Sequence, residues 1–126
     1  MTRKRRILLV DDEVSITRAL ALYLEENGGC DVRVENAGKR ALATAREFEP
    51  DVIFLDIVMP DADGSTLAAE MQADPALQRT PIVFLTALVS RHETGGALME
   101  IGGHPFLAKP VDPDTVLAYV ERFGRA

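Results

Sequence analysis

The sequence predicts an α/β fold in which helices pack on both faces of a parallel sheet. Short, nearly continuous apolar runs recur along the chain, as expected of strands buried on both faces. Segments with apolar residues at helical spacing lie between them. Strands that alternate with helices in this way form parallel sheets with helical covers.

The elements follow in order. Arg3-Lys4-Arg5-Arg6 is a solvated lead-in to the first strand, Ile7-Leu8-Leu9-Val10. Ile16, Leu20, Tyr23 and Leu24 then recur at helical spacing, and Asn27-Gly28-Gly29 supplies the stop. Asp31 to Glu35 alternates, with Val32 and Val34 apolar, as in an edge strand with one open face. Ala41, Leu42, Ala45 and Phe48 form a second helical stripe, with Asn36 expected as its cap and Pro50 beyond its end. Val52-Ile53-Phe54-Leu55 is the third strand, Leu67 and Met71 mark the third helix, and Ile82-Val83-Phe84-Leu85 is the fourth strand.

The stretch 90–103 reads as a short or mobile helix. Leu98 and Ile101 are correctly spaced, but Gly95-Gly96 falls inside it at a cost of about 1 kcal/mol per glycine, and Gly102-Gly103 weakens it further. Phe106-Leu107-Ala108 is the fifth strand. Asp112-Pro113 offers a cap and a first-turn proline ahead of Val116, Leu117 and Val120, and Gly124 closes the last helix.

A length of 126 residues fits one domain. The expectation is a single unit over residues 1–126 with no output domain. Fourteen basic and twenty acidic residues leave a formal charge of -6, which disfavours nucleic acid and anionic membranes as partners. Cys30 is the single cysteine and reads as a buried or half-buried thiol in a reducing compartment. No apolar run approaches the roughly 20 residues of a membrane helix, and the run after the basic N-terminus is too short for a signal peptide. A cytoplasmic location is expected.

Polar residues fall where the strands end. Asp11 and Asp12 follow the first strand, Asp56 the third, Thr86 the fourth and Lys109 the fifth. Ligands of open α/β sheets bind beyond the carboxyl ends of the strands. Neighbouring strands lie about 4.8 Å apart, so the three carboxylates converge if the first and third strands are adjacent. Each like-charged pair at about 5 Å repels by roughly 3 kcal/mol at an effective dielectric of 20. Such a cluster calls for a countercharge. Mg2+ suits it, because it takes one or two carboxylates, keeps waters and leaves room for phosphate oxygens; Lys109 adds an ammonium at the same rim.

These residues resemble the receiver domains of bacterial response regulators in two-component signalling. The resemblance rests on Leu9-Val10-Asp11-Asp12-Glu13, on Pro50-Asp51 ahead of the strand ending in Asp56, on Met59-Pro60 with Asp63-Gly64, on Thr86-Ala87, and on Lys109-Pro110. It covers essentially the whole chain. It implies a flavodoxin-like, doubly wound fold with a five-stranded sheet in the order 2-1-3-4-5. It implies Asp56 as phosphoryl acceptor, with Mg2+ held by Asp12, Asp56 and the backbone carbonyl of Val58, Asp11 assisting. Lys109 would bind the phosphoryl oxygens, Thr86 would turn its hydroxyl toward them, and Phe106 would be the switch aromatic. The Lys109–Pro110 peptide is expected to be cis. The implied donor is a phosphohistidine on a sensor kinase or phosphotransfer protein, and the implied target is a downstream effector protein. A monomer or weak dimer is expected.

Two positions depart from the commoner pattern. Val58, two residues past the acceptor, and Leu88, two past Thr86, are apolar; neither can orient a water, so a long-lived phosphoryl group is expected. His92 and His104 read as exposed loop residues and not as phosphoryl carriers, while Met71 and Met99 read as core. Two other functions fit the residues less well. A scaffold that works without phosphorylation would be free to lose the set Asp12, Asp56, Thr86 and Lys109. A magnesium-dependent phosphatase with an aspartate nucleophile commonly needs a second acid where Val58 stands. Nucleotide binding lacks its glycine-rich Lys loop after the first strand.

Overall fold

The computed structural model describes residues 3–87 and 100–124. Strands β1 (Arg6–Val10), β2 (Asp31–Glu35), β3 (Val52–Asp56), β6 (Ile82–Thr86) and β8 (His104–Ala108) form a parallel sheet. Their spatial order, β2-β1-β3-β6-β8, is the doubly wound arrangement expected from the resemblance. Two short strands, β4 (Val58–Met59) and β5 (Ala62–Asp63), pair antiparallel in a small hairpin just past β3.

Successive strand residues point to opposite faces, and both faces are buried. Ile7, Leu9, Phe54, Val83 and Leu85 pack with Leu20 and Leu24 of α1 (Val14–Gly28) and with Val116 and Val120 of α4 (Pro113–Phe123). Leu8, Val10, Ile53, Leu55 and Phe84 pack with Ala41, Ala45 and Phe48 of α2 (Ala41–Phe48) and with Leu67 and Met71 of α3 (Gly64–Ala73). Burying a side chain such as Phe54 or Leu55 contributes about 1.5–3 kcal/mol, so the apolar runs alone commit the chain to two helical layers. Cys30 is buried in the α1/α4 layer.

The helix ends follow local chemistry. Gly29 closes α1 in the left-handed region at φ 62°, where the lack of a Cβ removes the steric penalty. Asp63 caps α3 by accepting from the Ser65 N–H, and Asp112 caps α4 by accepting from the Asp114 N–H, with Pro113 in the first turn.

Three expectations are corrected. Asn36 does not cap α2: a 3-10 helix (Gly38–Arg40) intervenes, and the Asn36 amide donates instead to the Asp11 carbonyl at 2.7 Å and to Thr17 Oγ1 at 3.0 Å. Ile101 is not on a helix. Strand β7 (Glu100–Ile101) turns through Gly102 and Gly103, at φ 58° and 85°, and pairs antiparallel with the start of β8. Two consecutive positive φ angles are what a two-residue type I′ hairpin requires, so the glycines build the turn rather than weaken a helix. His104 is consequently a half-buried strand residue, its ring edge-on to Phe84 at 5.3 Å, and not part of an exposed loop. The remaining expectations for this stretch, Leu88, His92, Gly95-Gly96, Leu98 and Met99, lie outside the described residues.

Candidate functional site

The site lies at the carboxyl rim, where register places the acids. Val10 pairs with Leu55, so Asp11 and Asp56, one residue on in each strand, stand side by side. Asp56 pairs with Leu85, and Thr86 pairs with Ala108, directly before Lys109. Carboxylate oxygens of Asp11, Asp12 and Asp56 all lie within 4.8 Å of one another. Asp11 and Asp56 are buried, whereas Asp12 reaches solvent.

Lys109 Nζ lies 2.8 Å from Asp11 Oδ2, 3.1 Å from Glu13 Oε1 and 3.4 Å from Asp56 Oδ2. One ammonium therefore faces three carboxylates, with Asp12 close by. Burial alone would lower the Lys109 pKa, but pairing with Asp11, Glu13 and Asp56 more than offsets this and raises it. Asp56 behaves in the opposite sense. Burial and the neighbouring Asp11 charge push its pKa up to about 6, against the pull of Lys109 and of the Val58 N–H, which donates to Asp56 Oδ1 at 3.3 Å. The rim is thus short of positive charge even with its lysine in place.

The donor set fits a small hard cation. Asp11 Oδ2 is buried and receives no directed hydrogen bond, although the ammonium is near. Its other oxygen is occupied, accepting from the Glu13 N–H at 3.0 Å. A buried oxygen whose close partner is an exchangeable ammonium, beside two further carboxylates, belongs to an oxygen-only set of the kind Mg2+ prefers. Thr86 is buried at the end of β6, and its carbonyl accepts from the Lys109 N–H at 2.8 Å, which ties the ends of β6 and β8 together. The Lys109–Pro110 peptide is cis. Phe106 is buried in the α2/α3 layer beside Phe84, its register partner.

The loop after the acceptor is held tightly. The Ile57 N–H donates to the Leu85 carbonyl, and the Gly64 N–H to the Ile57 carbonyl. A Cβ at Gly64 would stand 2.4 Å from the Asp56 carbonyl oxygen, so α3 can begin this close to the acceptor only with glycine there. Val58 is largely exposed, at 62%, next to Asp56.

Sequence reasoning did not assign Glu13 its contact with Lys109, although Asp-Asp-Glu is a visible acidic run. It also missed Asp61, which accepts from the Gly38 N–H and the Lys39 N–H, each at 3.1 Å. No spacing rule links residues 38 and 61.

Comparison with known proteins adds an independent finding. The profile described as the response regulator receiver domain matches residues 7–121. The chain is 37% identical over 125 residues to the response regulator PleD of Caulobacter vibrioides, covering 95% of this chain and 26% of that protein. It is 31% identical over 116 residues to a probable transcriptional regulator, ycf29, of Pyropia yezoensis, covering 91% of this chain and 51% of that protein. The chain therefore spans between a quarter and about half of the length of these relatives. Among solved structures, the chemotaxis protein CheY4 of Vibrio cholerae superposes with a TM-score of 0.80 at 28% identity, over 96% of this chain and 99% of that one. The BeF3-activated N-terminal receiver domain of Klebsiella pneumoniae RstA gives 0.78 at 30% identity, over 97% and 100%.

Proposed function

The chain belongs to the family of response regulator receiver domains, the signalling modules of two-component systems, and from that premise we propose that Asp56 accepts a phosphoryl group from a phosphohistidine of a sensor kinase or phosphotransfer protein. The observation that carries this reading is the charge around a buried carboxylate: Asp11, Asp12 and Asp56 converge, and among the described residues Lys109 alone opposes them. Asp11, Asp12, Asp56 and the backbone carbonyl of Val58 would hold Mg2+. When bound, the ion neutralises charge on the transferring phosphoryl oxygens.

The side chains divide the remaining work. An Asp56 oxygen attacks phosphorus as the P–N bond to the donor imidazole breaks, and the imidazole leaves with the electron pair. Lys109, held within 3.4 Å of Asp56, stabilises the equatorial oxygens throughout. Thr86, at the end of the adjacent strand, supplies a hydroxyl to the product phosphoryl group. Phe106 then shifts in its buried site, and the altered surface is read by a downstream effector protein. The domain works as one unit over residues 1–126 and as a monomer or weak dimer. Val58, apolar and exposed beside the acceptor, cannot orient a hydrolytic water, so the phosphoryl group persists. The same residue disfavours the phosphatase reading, which needs an acid at that position.

Incubation with acetyl phosphate and Mg2+ tests the proposal by intact mass. One phosphoryl group is expected on the wild-type chain and none on Asp56→Asn or after chelation by EDTA. Unchanged wild-type mass, or modification of Asp56→Asn to the same extent, would refute it.

A further inference from the structure

The loop between β2 and α2 touches both halves of the acidic rim. On one side, the Asn36 amide donates to the Asp11 carbonyl at 2.7 Å and to Thr17 Oγ1 at 3.0 Å, while the Asp11 N–H donates to the Glu35 carbonyl at 3.2 Å. On the other, Asp61 at the tip of the β4–β5 hairpin accepts from two successive backbone N–H groups, Gly38 and Lys39. The hairpin and the loop are in close contact: a Cβ at Gly38 would stand 2.6 Å from Ala62 Cβ. Hydrogen bonds to the Asp61 carboxylate, that of Lys39 foremost, hold its pKa below the ordinary range, in keeping with a charge-assisted contact.

The loop between these two contacts is stiff. Glu35 Oε2 accepts from the Ala37 N–H at 3.0 Å, and Glu35 Oε1 from Thr44 Oγ1 at 2.7 Å. The Arg40 N–H donates to the Ala37 carbonyl at 3.0 Å, closing the 3-10 turn. A rigid segment bonded at both ends to separate loops fixes the distance between them.

We infer that residues 35–40 form a brace between the Asp11–Asp12 loop and the Val58–Asp63 hairpin, with Asn36 and Asp61 as positioning residues for the cation seat. The inference rests on the reading of the rim as a magnesium site. Its physical basis is that the seat draws on both braced loops, Asp11 and Asp12 from one and the Val58 carbonyl from the other, so the spacing of the loops sets the spacing of the ligands. Groups behind metal ligands set affinity through such positioning. Neither residue is among the carboxylates that would hold the cation.

Isothermal titration calorimetry with MgCl2 on the full chain tests this, with thermal unfolding measured in parallel. Asp61→Ala is expected to weaken Mg2+ binding about 10-fold, at the low end for groups behind metal ligands. Asp61→Asn, which retains one of the two acceptor oxygens, should recover part of the loss. Asn36→Ala should also weaken binding, and the double variant should lose less than the product of the two single losses, because either break already frees the loop. Asp74→Ala is the stability control, since it removes the Arg46 ion pair and the Ala76 N–H contact away from the rim; its Mg2+ affinity should match wild type. Wild-type Mg2+ binding in Asp61→Ala, or equal weakening in Asp74→Ala at equal thermal loss, overturns the brace alone. A wild-type chain that takes up no Mg2+ overturns the seat and the brace together.

Discussion

Buried acids occur at both ends of the sheet, and they are treated differently. At the amino end, Asp51 accepts from the Arg3 guanidinium at 2.8 and 2.9 Å and from the Arg6 N–H at 2.7 Å. Its oxygens are saturated by a two-pronged cation and a main-chain donor. At the carboxyl end, Asp11, Glu13 and Asp56 share one lysine, with Asp12 beside them. A saturated carboxylate anchors the fold; here Asp51 pins the N-terminal segment across the start of β1. An undercompensated set is left open to receive something else. The contrast separates structural from chemical acids without reference to any relative.

The largest effect should come from removing Lys109, the cation that the described residues place at the carboxyl end. Lys109→Met is expected to slow phosphorylation by acetyl phosphate roughly 10²-fold, while tightening Mg2+ binding, because no ammonium competes for Asp11. The corresponding change at the amino end, Arg3→Met, should leave the phosphorylation rate unaltered. Equal rates for Lys109→Met and wild type would erase the distinction between the two ends.

Stability against pH sharpens it further. In the absence of Mg2+, the folded state holds a proton on Asp56 up to about pH 6, above the ordinary 3.8. Its favourable contribution is complete below the ordinary value and is lost as pH rises through about 6. Asp56→Asn should therefore be more stable than wild type at pH 8, by on the order of 2 kcal/mol, with the gap closing near pH 4 in urea unfolding. Asp51→Asn should move the other way, losing about 1–3 kcal/mol at pH 8 by leaving the Arg3 guanidinium half-paired. A stabilised Asp51→Asn would show that both ends carry the same kind of acid.

The smallest expected effect concerns the exposed apolar neighbour of the acceptor. Val58→Asn should shorten the phosphoryl lifetime roughly 3- to 10-fold by offering a polar group to an attacking water, read as loss of the added mass after the donor is removed. An unchanged lifetime, or a wild-type lifetime of only seconds with Mg2+ present, counts against the long-lived state.

Much of this was legible beforehand because buried parallel strands write themselves as apolar runs. Ile7–Val10, Val52–Leu55 and Ile82–Leu85 are such runs, and the polar residue that ends each one marks the rim. The gathering of Asp11, Asp12, Asp56 and Lys109 follows from strand order alone. What escaped depended on partners far apart in the chain. Asn36 looked like a helix cap because caps are local, yet its bonds go to residues 11 and 17. Asp61 caps backbone groups 22 and 23 positions away, so no local pattern announces it. The β7–β8 hairpin was hidden for another reason: with only two residues in β7 there is no alternation to see, and paired glycines read as helix breakers until their φ angles are known.

That hairpin also bears on how copies of the chain meet. A sheet margin with free main-chain groups invites another strand. On one margin, β8 is folded under by β7 and carries Pro105, which has no N–H to offer; on the other, β2 presents Asp31, Arg33 and Glu35 along its length. Growth of the sheet from molecule to molecule is thereby discouraged at either side. A crowded solution of this protein should resist fibre formation, and any association it does undergo is steered toward side-chain contacts, which a change of charge can undo.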